Sequence, residues 1–153
     1  MTCETTRIGR LVANEFPESV LTFAYGSGAL RQIAKSGERV EASMMDFIFV
    51  VEDPVDWHSR VLSKYPKHYS FAGRLGPRFV SLVQGLGPGV YFNPMVQLRD
   101  DLPYIKYGVV GVDDFKDDLL NWSRSVACTD KLISHLCSAH SLPCTYIPVS
   151  FTT

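Results

Sequence analysis

The chain has 153 residues, of which 46% are hydrophobic and 20% charged; this is enough for one globular domain with a sizeable core and argues against two. Its 15 Lys and Arg residues nearly balance 16 Asp and Glu residues, and the formal net charge of -1 excludes a global positive field that would attract nucleic acid or an anionic membrane. Any binding of phosphate must therefore be local.

The N-terminal part predicts a helix and then a strand. Four apolar residues recur at helical spacing: Ile8, Leu11, Val12 and Phe16. Pro17 cannot continue a helix, so we expect an amphipathic helix over about residues 6 to 16. The β-branched and aromatic run from Ser19 to Tyr25 predicts a strand. The first residues contain acids as well as arginines, and transit peptides are poor in acids, so this segment is at best a weak targeting signal.

A glycine turn and a buried strand follow. The first strand is closed by Gly26-Ser27-Gly28, after which residues 29–33 predict the first turns of a helix and residues 34–43 a polar loop. Met44 to Val51 is an almost unbroken apolar run, as in a strand that is buried on both faces, and only Asp46 interrupts it. A charge inside such a strand needs a reason.

The next segments predict a helix, further strands and a last helix. Asp53 and Pro54 are typical of a helix start, with the carboxylate as N-cap, and the helix continues to Lys64. After a break at residues 85–89 we expect three strands, at residues 90–92, about 95–98 and 104–110. Asp113 is expected to cap a helix that ends near Trp122. The predicted fold class is α/β, with a mixed sheet of about four or five strands flanked by helices.

From residue 123 onward no periodicity is sustained, so we expect one domain over residues 1–122 and a divergent, poorly ordered tail over residues 123–153. Three of the four cysteines lie in this tail without a CxxC pair, which argues against a disulfide framework and favours a reducing compartment. The tail also contains residue types that bind zinc, at spacings that match no common zinc motif, and we interpret them as a chance grouping. These are His135, Cys137, His140 and Cys144.

Two features indicate phosphate chemistry. A strand that ends in Gly26-Ser27-Gly28 and enters a helix places backbone N–H groups and a hydroxyl at a helix N-terminus, where anions bind, although such a turn is more often plain loop structure. Asp46 is the second feature, because a lone carboxylate in an apolar strand is costly unless a divalent cation, an arginine or a backbone group compensates it. Strand, Gly-Ser turn, helix and acid-bearing strand together match the layout of the nucleotidyltransferase superfamily.

Successive motifs then resemble one family, the mitochondrial phosphatidate cytidylyltransferases, which are also called CDP-diacylglycerol synthases or translocator assembly and maintenance proteins. The motifs are Phe23-Ala-Tyr-Gly-Ser-Gly28, Met44-Met-Asp-Phe-Ile-Phe49, Asp53-Pro-Val-Asp-Trp-His-Ser59, His68-Tyr-Ser-Phe71, Gly89-Val-Tyr-Phe-Asn93 and Ile105-Lys-Tyr-Gly-Val109. They cover about residues 16–122 in the order of the family. Family members are longer and continue with a helical domain that residues 123–153 do not resemble, so we expect a truncated N-terminal portion.

The resemblance implies a nucleotidyltransferase-like fold and transfer of CMP from CTP to phosphatidic acid, in cardiolipin synthesis, by a peripheral protein on the matrix side of the mitochondrial inner membrane. It implies Mg2+ as cofactor, and no nucleic acid as partner. Gly26, Ser27 and Gly28 would bind the nucleotide, and Asp46 would bind the metal. Two open alternatives are an inactive truncated form that only binds partners and a nucleotidyltransferase with a different acceptor.

The position two residues after Asp46, where many members of the superfamily carry a second acid, is Ile48. Glu52 lies six residues from Asp46, about 20 Å at strand rise, and is too far away to share its metal. A second ligand must come from a segment that the sequence does not identify.

Other residues have weaker signals. Lys106 lies in an apolar strand and is a candidate catalytic cation, with a surface lysine as an equal alternative. Arg31 is a candidate phosphate ligand, although ordinary surface charge is the more frequent role. For His58 and His68 we expect structural hydrogen bonds. For four aromatic residues we expect places in the core or in a pocket wall: Tyr25, Trp57, Tyr69 and Tyr91.

Overall fold

The computed structural model describes residues 4–25, 44–87, 89–100, 102 and 104–121. The helices are α1 (Glu4–Glu15), α2 (Pro54–Lys64), α3 (Phe71–Arg74), α4 (Pro77–Leu86) and α5 (Val112–Asn121), with a 3-10 turn at Pro66–His68. The strands are β1 (Leu21–Tyr25), β2 (Met45–Val51), β3 (Val90–Val96) and β4 (Ile105–Gly111). In the described part of the chain no helix is long and apolar enough to cross a membrane.

The four strands form one mixed sheet in the order β1-β2-β4-β3. The central pair β2 and β4 is parallel, and both outer pairs are antiparallel. The α/β prediction with a mixed sheet flanked by helices is therefore confirmed. A parallel central pair is normally covered on both faces, which explains why β2 is apolar almost throughout.

Alternate residues of β2 point to opposite faces of the sheet and belong to two separate hydrophobic cores. On one face a core joins β2 and β4 to α1, α2 and α4, and its aromatic members include Phe16, Phe49, Trp57 and Tyr107, with Phe16 and Trp57 stacked at 5.8 Å. On the other face Ile48 and Val50 pack against Phe23 of β1, Val110 of β4 and Phe115 of α5. Asp46 has the parity of this second face.

Several local predictions are confirmed. The first helix and first strand form within two residues of the expected bounds, and Asp53 caps α2: its Oδ1 accepts hydrogen bonds from the backbone N–H groups of Val55 at 2.8 Å and Asp56 at 3.1 Å. The isolated carboxylate in β2 is also found where it was predicted.

Other local predictions need correction. The two expected strands at residues 90–92 and 95–98 are the single strand β3, with a register shift between Asn93 and Val96 and a φ of 52° at Met95. Helices α3 and α4 were not predicted, and Gly85 lies inside α4 because its neighbours sustain the helix to Leu86. Helix α5 begins directly after β4, so Asp113 lies in its first turn and is not its cap.

The expected helix start at residues 29–33, the polar loop at 34–43 and the tail over 123–153 with its cysteines and histidines lie outside the described residues.

Candidate active site

Asp46 lies near the end of the central strand β2, at the end of the sheet where β1 stops and where β2 and β4 start. It is the second residue of β2 and pairs with Tyr25 of β1 on one side and Lys106 of β4 on the other. Because β1 is antiparallel to β2 and β4 is parallel to it, this edge receives the carboxyl end of β1 and the amino ends of β2 and β4. Directly paired residues project from the same face, so the phenol, the carboxylate and the ammonium form one row.

The nucleotide-binding residues predicted from the sequence adjoin this row in the chain. Gly26, Ser27 and Gly28 follow Tyr25 directly, but they lie outside the described residues, as does Arg31. The structure shows that β1 ends beside Asp46, at the residue immediately before the glycine turn. Of the predicted site residues, it therefore brings together Asp46 and Lys106.

One oxygen of the Asp46 carboxylate is left without a partner by the described residues. Its Oδ1 is buried and has no hydrogen-bond partner in the described part of the chain. Leaving a buried acceptor unsatisfied costs about 1 to 3 kcal/mol, and more for a charged group. A buried carboxylate oxygen without a hydrogen-bond partner is suited to bind a metal ion.

Magnesium is compatible with this limited set of donors. Within the described residues no group of three or more His, Cys, Asp or Glu side chains is placed to hold a metal. Mg2+ usually keeps several waters and is bound by one or two carboxylates together with substrate phosphates, so one protein carboxylate at this edge is compatible with it. The geometry of the described residues does not identify the second protein ligand that the sequence leaves open.

Lys106 is held by a contact that sequence reasoning missed. Its Nζ lies 4.8 Å from the centroid of the Phe92 ring, within the range of a cation–π interaction. Phe92 pairs with Gly108 of β4, and a Cβ on Gly108 would lie 2.7 Å from Cε1 of Phe92 and 2.8 Å from Cδ1 of Ile48. The ring thus occupies the space that a side chain at residue 108 would fill, two residues along β4 from the lysine. Only the strand register, which the sequence did not supply, identifies this arrangement.

A cavity at the opposite end of the sheet does not suit a nucleotide. This cavity, of about 400 Å³, is lined by residues 17–20 and 51–53 with Asp56, Trp57 and Arg60. Glu52 and Asp53 lie here, at the far end of β2 from Asp46, and Arg60 is paired with Asp56 at 2.8 Å. The wall carries more acids than bases, which would repel a triphosphate. The cavity is therefore not the candidate active site.

A buried polar network lies on the aromatic face and confirms the structural role predicted for His58. Gln84 donates from Nε2 to the Gly89 carbonyl at 3.1 Å, so its Oε1 accepts from His58 Nε2 at 3.0 Å. The neutral ring then accepts at Nδ1 from the Tyr69 hydroxyl at 2.7 Å. Burial lowers the pKa of His58, against the hydrogen bond to Gln84, and raises the pKa of Tyr69.

His68 has a similar position beside the same core. Its Nδ1 lies 3.3 Å from the Tyr107 hydroxyl, and its ring stacks on Tyr65 at 4.6 Å. Burial lowers the pKa of His68 to about 4. Both described histidines are thus neutral parts of the core. Trp57 and Tyr69 are buried as predicted, whereas Tyr25 and Tyr91 are partly buried against the two cores.

Comparison with known proteins identifies one family. The sequence model of the family described as "Phosphatidate cytidylyltransferase, mitochondrial" matches residues 9–128. Proteins of that name are similar to this chain: 47% identical over 115 residues in Danio rerio (74% of this chain, 33% of the relative), 39% over 163 residues in Mus musculus (94% and 48%), and 45% over 114 residues in Schizosaccharomyces pombe (73% and 28%). The chain thus spans between about a quarter and a half of these relatives.

Proposed function

The chain belongs to the mitochondrial phosphatidate cytidylyltransferase family, and from this premise we propose that it transfers CMP from CTP to phosphatidic acid, giving CDP-diacylglycerol and pyrophosphate. The observation that carries the proposal is the unsatisfied Asp46 carboxylate beside Lys106, at the edge where β1 ends. This is where a strand, Gly-Ser turn, helix and acid-bearing strand would bring a nucleotide triphosphate and a carboxylate together.

In the proposed reaction a phosphate oxygen of phosphatidic acid attacks the α-phosphorus of CTP. A new P–O–P bond forms, the bond between the α-phosphorus and its bridging oxygen to the β-phosphorus breaks, and pyrophosphate leaves with the bonding electrons. Gly26, Ser27 and Gly28 would hold the phosphates through backbone N–H groups and a hydroxyl, with Arg31 as a further cation. Lys106 would stabilise negative charge that develops on the phosphates, held in position by the Phe92 ring.

Asp46 would hold Mg2+ through Oδ1, the carboxylate oxygen that has no hydrogen-bond partner among the described residues. The bound ion would supply neutralisation of phosphate charge and polarisation of the α-phosphoryl group. The sheet would hold Asp46 in a fixed position, because β2 is paired with β1 on one side and with β4 on the other. We further propose that the protein acts as a peripheral protein on the matrix side of the mitochondrial inner membrane, in the route to cardiolipin.

A binding role without turnover is the second candidate. The chain covers 33% of the zebrafish relative and 48% of the mouse relative, so a residue that completes the site in those proteins can lie outside the matched part. In this case the chain would bind nucleotide or a partner without making CDP-diacylglycerol. A nucleotidyltransferase with a different acceptor is the third reading.

The test is incubation of the purified chain with CTP labelled in the α-phosphate, phosphatidic acid and Mg2+, followed by lipid extraction. Labelled CDP-diacylglycerol is expected, and Asp46→Asn should abolish it. Asp113→Asn, at an exposed position in the first turn of α5, is the matched control and should retain it. Binding of CTP without lipid product would favour the second candidate, and label on a protein or sugar would favour the third.

A further inference from the structure

Helix α4 exposes an apolar stripe on the side that faces away from the core. Val80 and Gln84 form its inner side and are 0% and 3% exposed. Four apolar residues at positions i, i+3, i+4 and i+7 form its outer side, which we call the α4 stripe: Phe79, Leu82, Val83 and Leu86, with exposures of 36%, 57%, 39% and 79%. The outer face of a surface helix in a soluble domain is normally polar, so this stripe needs an occupant.

The segment before α4 extends the exposed apolar surface. Phe71 in α3 is 70% exposed and Leu75, which follows α3, is 52% exposed. They are four residues apart, and α3 packs against α4. Large apolar side chains on two successive helical segments are therefore directed to the outside of the fold.

The chain segment that contains this surface has charges of one sign. Residues 57–99 contain six basic residues and no Asp or Glu, a local charge of +6, while the rest of the chain has a net charge of -7 to give -1 in total. Arg60 and Lys64 are paired with acids outside this segment, Asp56 and Glu15. Lys67, Arg74 and Arg78 are exposed, and within the described residues no ion pair involves them. Two of these free cations, Arg74 and Arg78, flank the start of α4.

We propose that the α4 stripe, with Phe71 and Leu75, docks on an anionic lipid bilayer. At a bilayer interface the leucines and phenylalanines can insert among the acyl chains, and the cations beside them can contact negative head groups. A second copy of the chain offers the apolar contact but places like charges against each other. The inference extends the proposed function, whose lipid substrate resides in a bilayer, but it rests on this surface and not on the reaction.

The test is flotation of the whole chain with vesicles of phosphatidylcholine alone or mixed with phosphatidylglycerol, without CTP or phosphatidic acid. We expect binding to the mixed vesicles, weaker at high salt, and little binding to phosphatidylcholine. Leu86→Ser should weaken binding by at least about tenfold, because several buried carbons are lost. The double variant Arg74→Gln with Arg78→Gln should weaken it by on the order of 25-fold, at about fivefold for each charge.

Matched controls lie on α5. Leu120 is 79% exposed, the same as Leu86, so Leu120→Ser removes an equal apolar side chain from another surface. Lys116→Gln removes an exposed cation there. Both should bind vesicles like the parent chain, and urea unfolding should show that all variants fold.

The inference is overturned if the parent chain does not bind the anionic vesicles, or if the α4 and α5 variants bind equally well. It is also overturned if Leu86→Ser dissociates a dimer of the chain and leaves flotation unchanged, because the occupant is then a second copy. Because no substrate is present, an inactive chain can still pass this test and an active one can fail it.

Discussion

Asp46 and Lys106 are direct partners in the parallel pairing of β2 and β4, so a carboxylate and an ammonium project side by side from one face of the sheet. Oδ1 of Asp46 is buried and has no hydrogen-bond partner among the described residues, and the ammonium group of Lys106 lies over the Phe92 ring. Polar groups that are left unsatisfied in this manner are expected at functional sites.

Replacement of Asp46 should therefore separate activity from stability. Asp46→Asn is expected to reduce CDP-diacylglycerol formation by at least about a hundredfold, since the proposed ligand of the Mg2+ that neutralises the reacting phosphates is lost. The free energy of unfolding should stay constant or rise by about 1 kcal/mol, because an unsatisfied buried charge is removed. Turnover and urea unfolding of the same preparation measure both effects; a large loss of stability would mean that Asp46 supports the fold instead.

Phe92 should act on nucleotide binding through Lys106. Phe92→Leu removes a cation–π contact of about 0.5 to 1 kcal/mol at a partly exposed site, so the Kd for CTP should rise about two- to fivefold. Phe92→Trp should restore binding, since tryptophan is the best ring for this contact. The decisive control is the cycle with Lys106→Met, in which Phe92→Leu should have no further effect. Equal effects in both backgrounds would show that Phe92 acts independently of the lysine.

Gly108 should tolerate no side chain. Gly108→Ala forces the new Cβ against Phe92 and Ile48, and overpacking of this kind costs about 1 to 3 kcal/mol of unfolding free energy. Gly85→Ala is the matched control, because nothing lies within 4 Å of its Cβ and it is inside α4, where alanine is favoured over glycine by about 0.5 to 1 kcal/mol. Urea denaturation should therefore give opposite signs for the two variants.

Stability should fall in mildly acidic solution because two histidines, the buried His58 and the half-buried His68, are neutral in the folded chain. The folded chain protonates His68 only near a pKa of about 4, whereas the unfolded chain does so near 6.5. Between these values the unfolded chain binds more protons, so the free energy of unfolding decreases as the pH falls from about 7 to about 4. Burial lowers the pKa of His58 too, which acts in the same direction.

The measurement is urea unfolding at a series of pH values for the parent chain and for His68→Gln, which should have a shallower pH dependence. Glu15 acts at the acidic end of this window: hydrogen bonds from Tyr65 and Lys64 lower its pKa below 4.5, so its contribution to stability begins to be lost only as the pH falls below about 4.5. Identical pH profiles for parent and variant would contradict the prediction for His68.

The local signals in the sequence were reliable where one residue decides the structure. Asp53 with Pro54 marks the start of α2 because the cap and the fixed proline φ act within one turn. Asp46 was recognisable because a charge in an apolar strand is costly wherever it occurs. Helix α4 was missed because its stripe points outward and gives an apolar pattern on both sides, which hides the usual helical period.

The partners of Asp46 could not be predicted, because strand register depends on contacts between distant segments. Nothing near Lys106 in the sequence indicates that Phe92 lies under its ammonium group or that Gly108 makes room for that ring. The division of β3 into two expected strands has a similar cause: the irregularity between Asn93 and Val96 is a property of its pairing with β4.

The topology of the sheet also has a consequence for folding kinetics. The pairing that joins Asp46 to Lys106 links positions 60 residues apart in the chain (106 − 46), whereas the antiparallel neighbour Tyr25 is only 21 residues away (46 − 25). Closing the longer loop costs more entropy, and parallel pairing of distant segments is slow. During synthesis, β2 therefore emerges with one side unpaired until β4 has left the ribosome. The carboxylate and ammonium of the candidate site meet only in this late step.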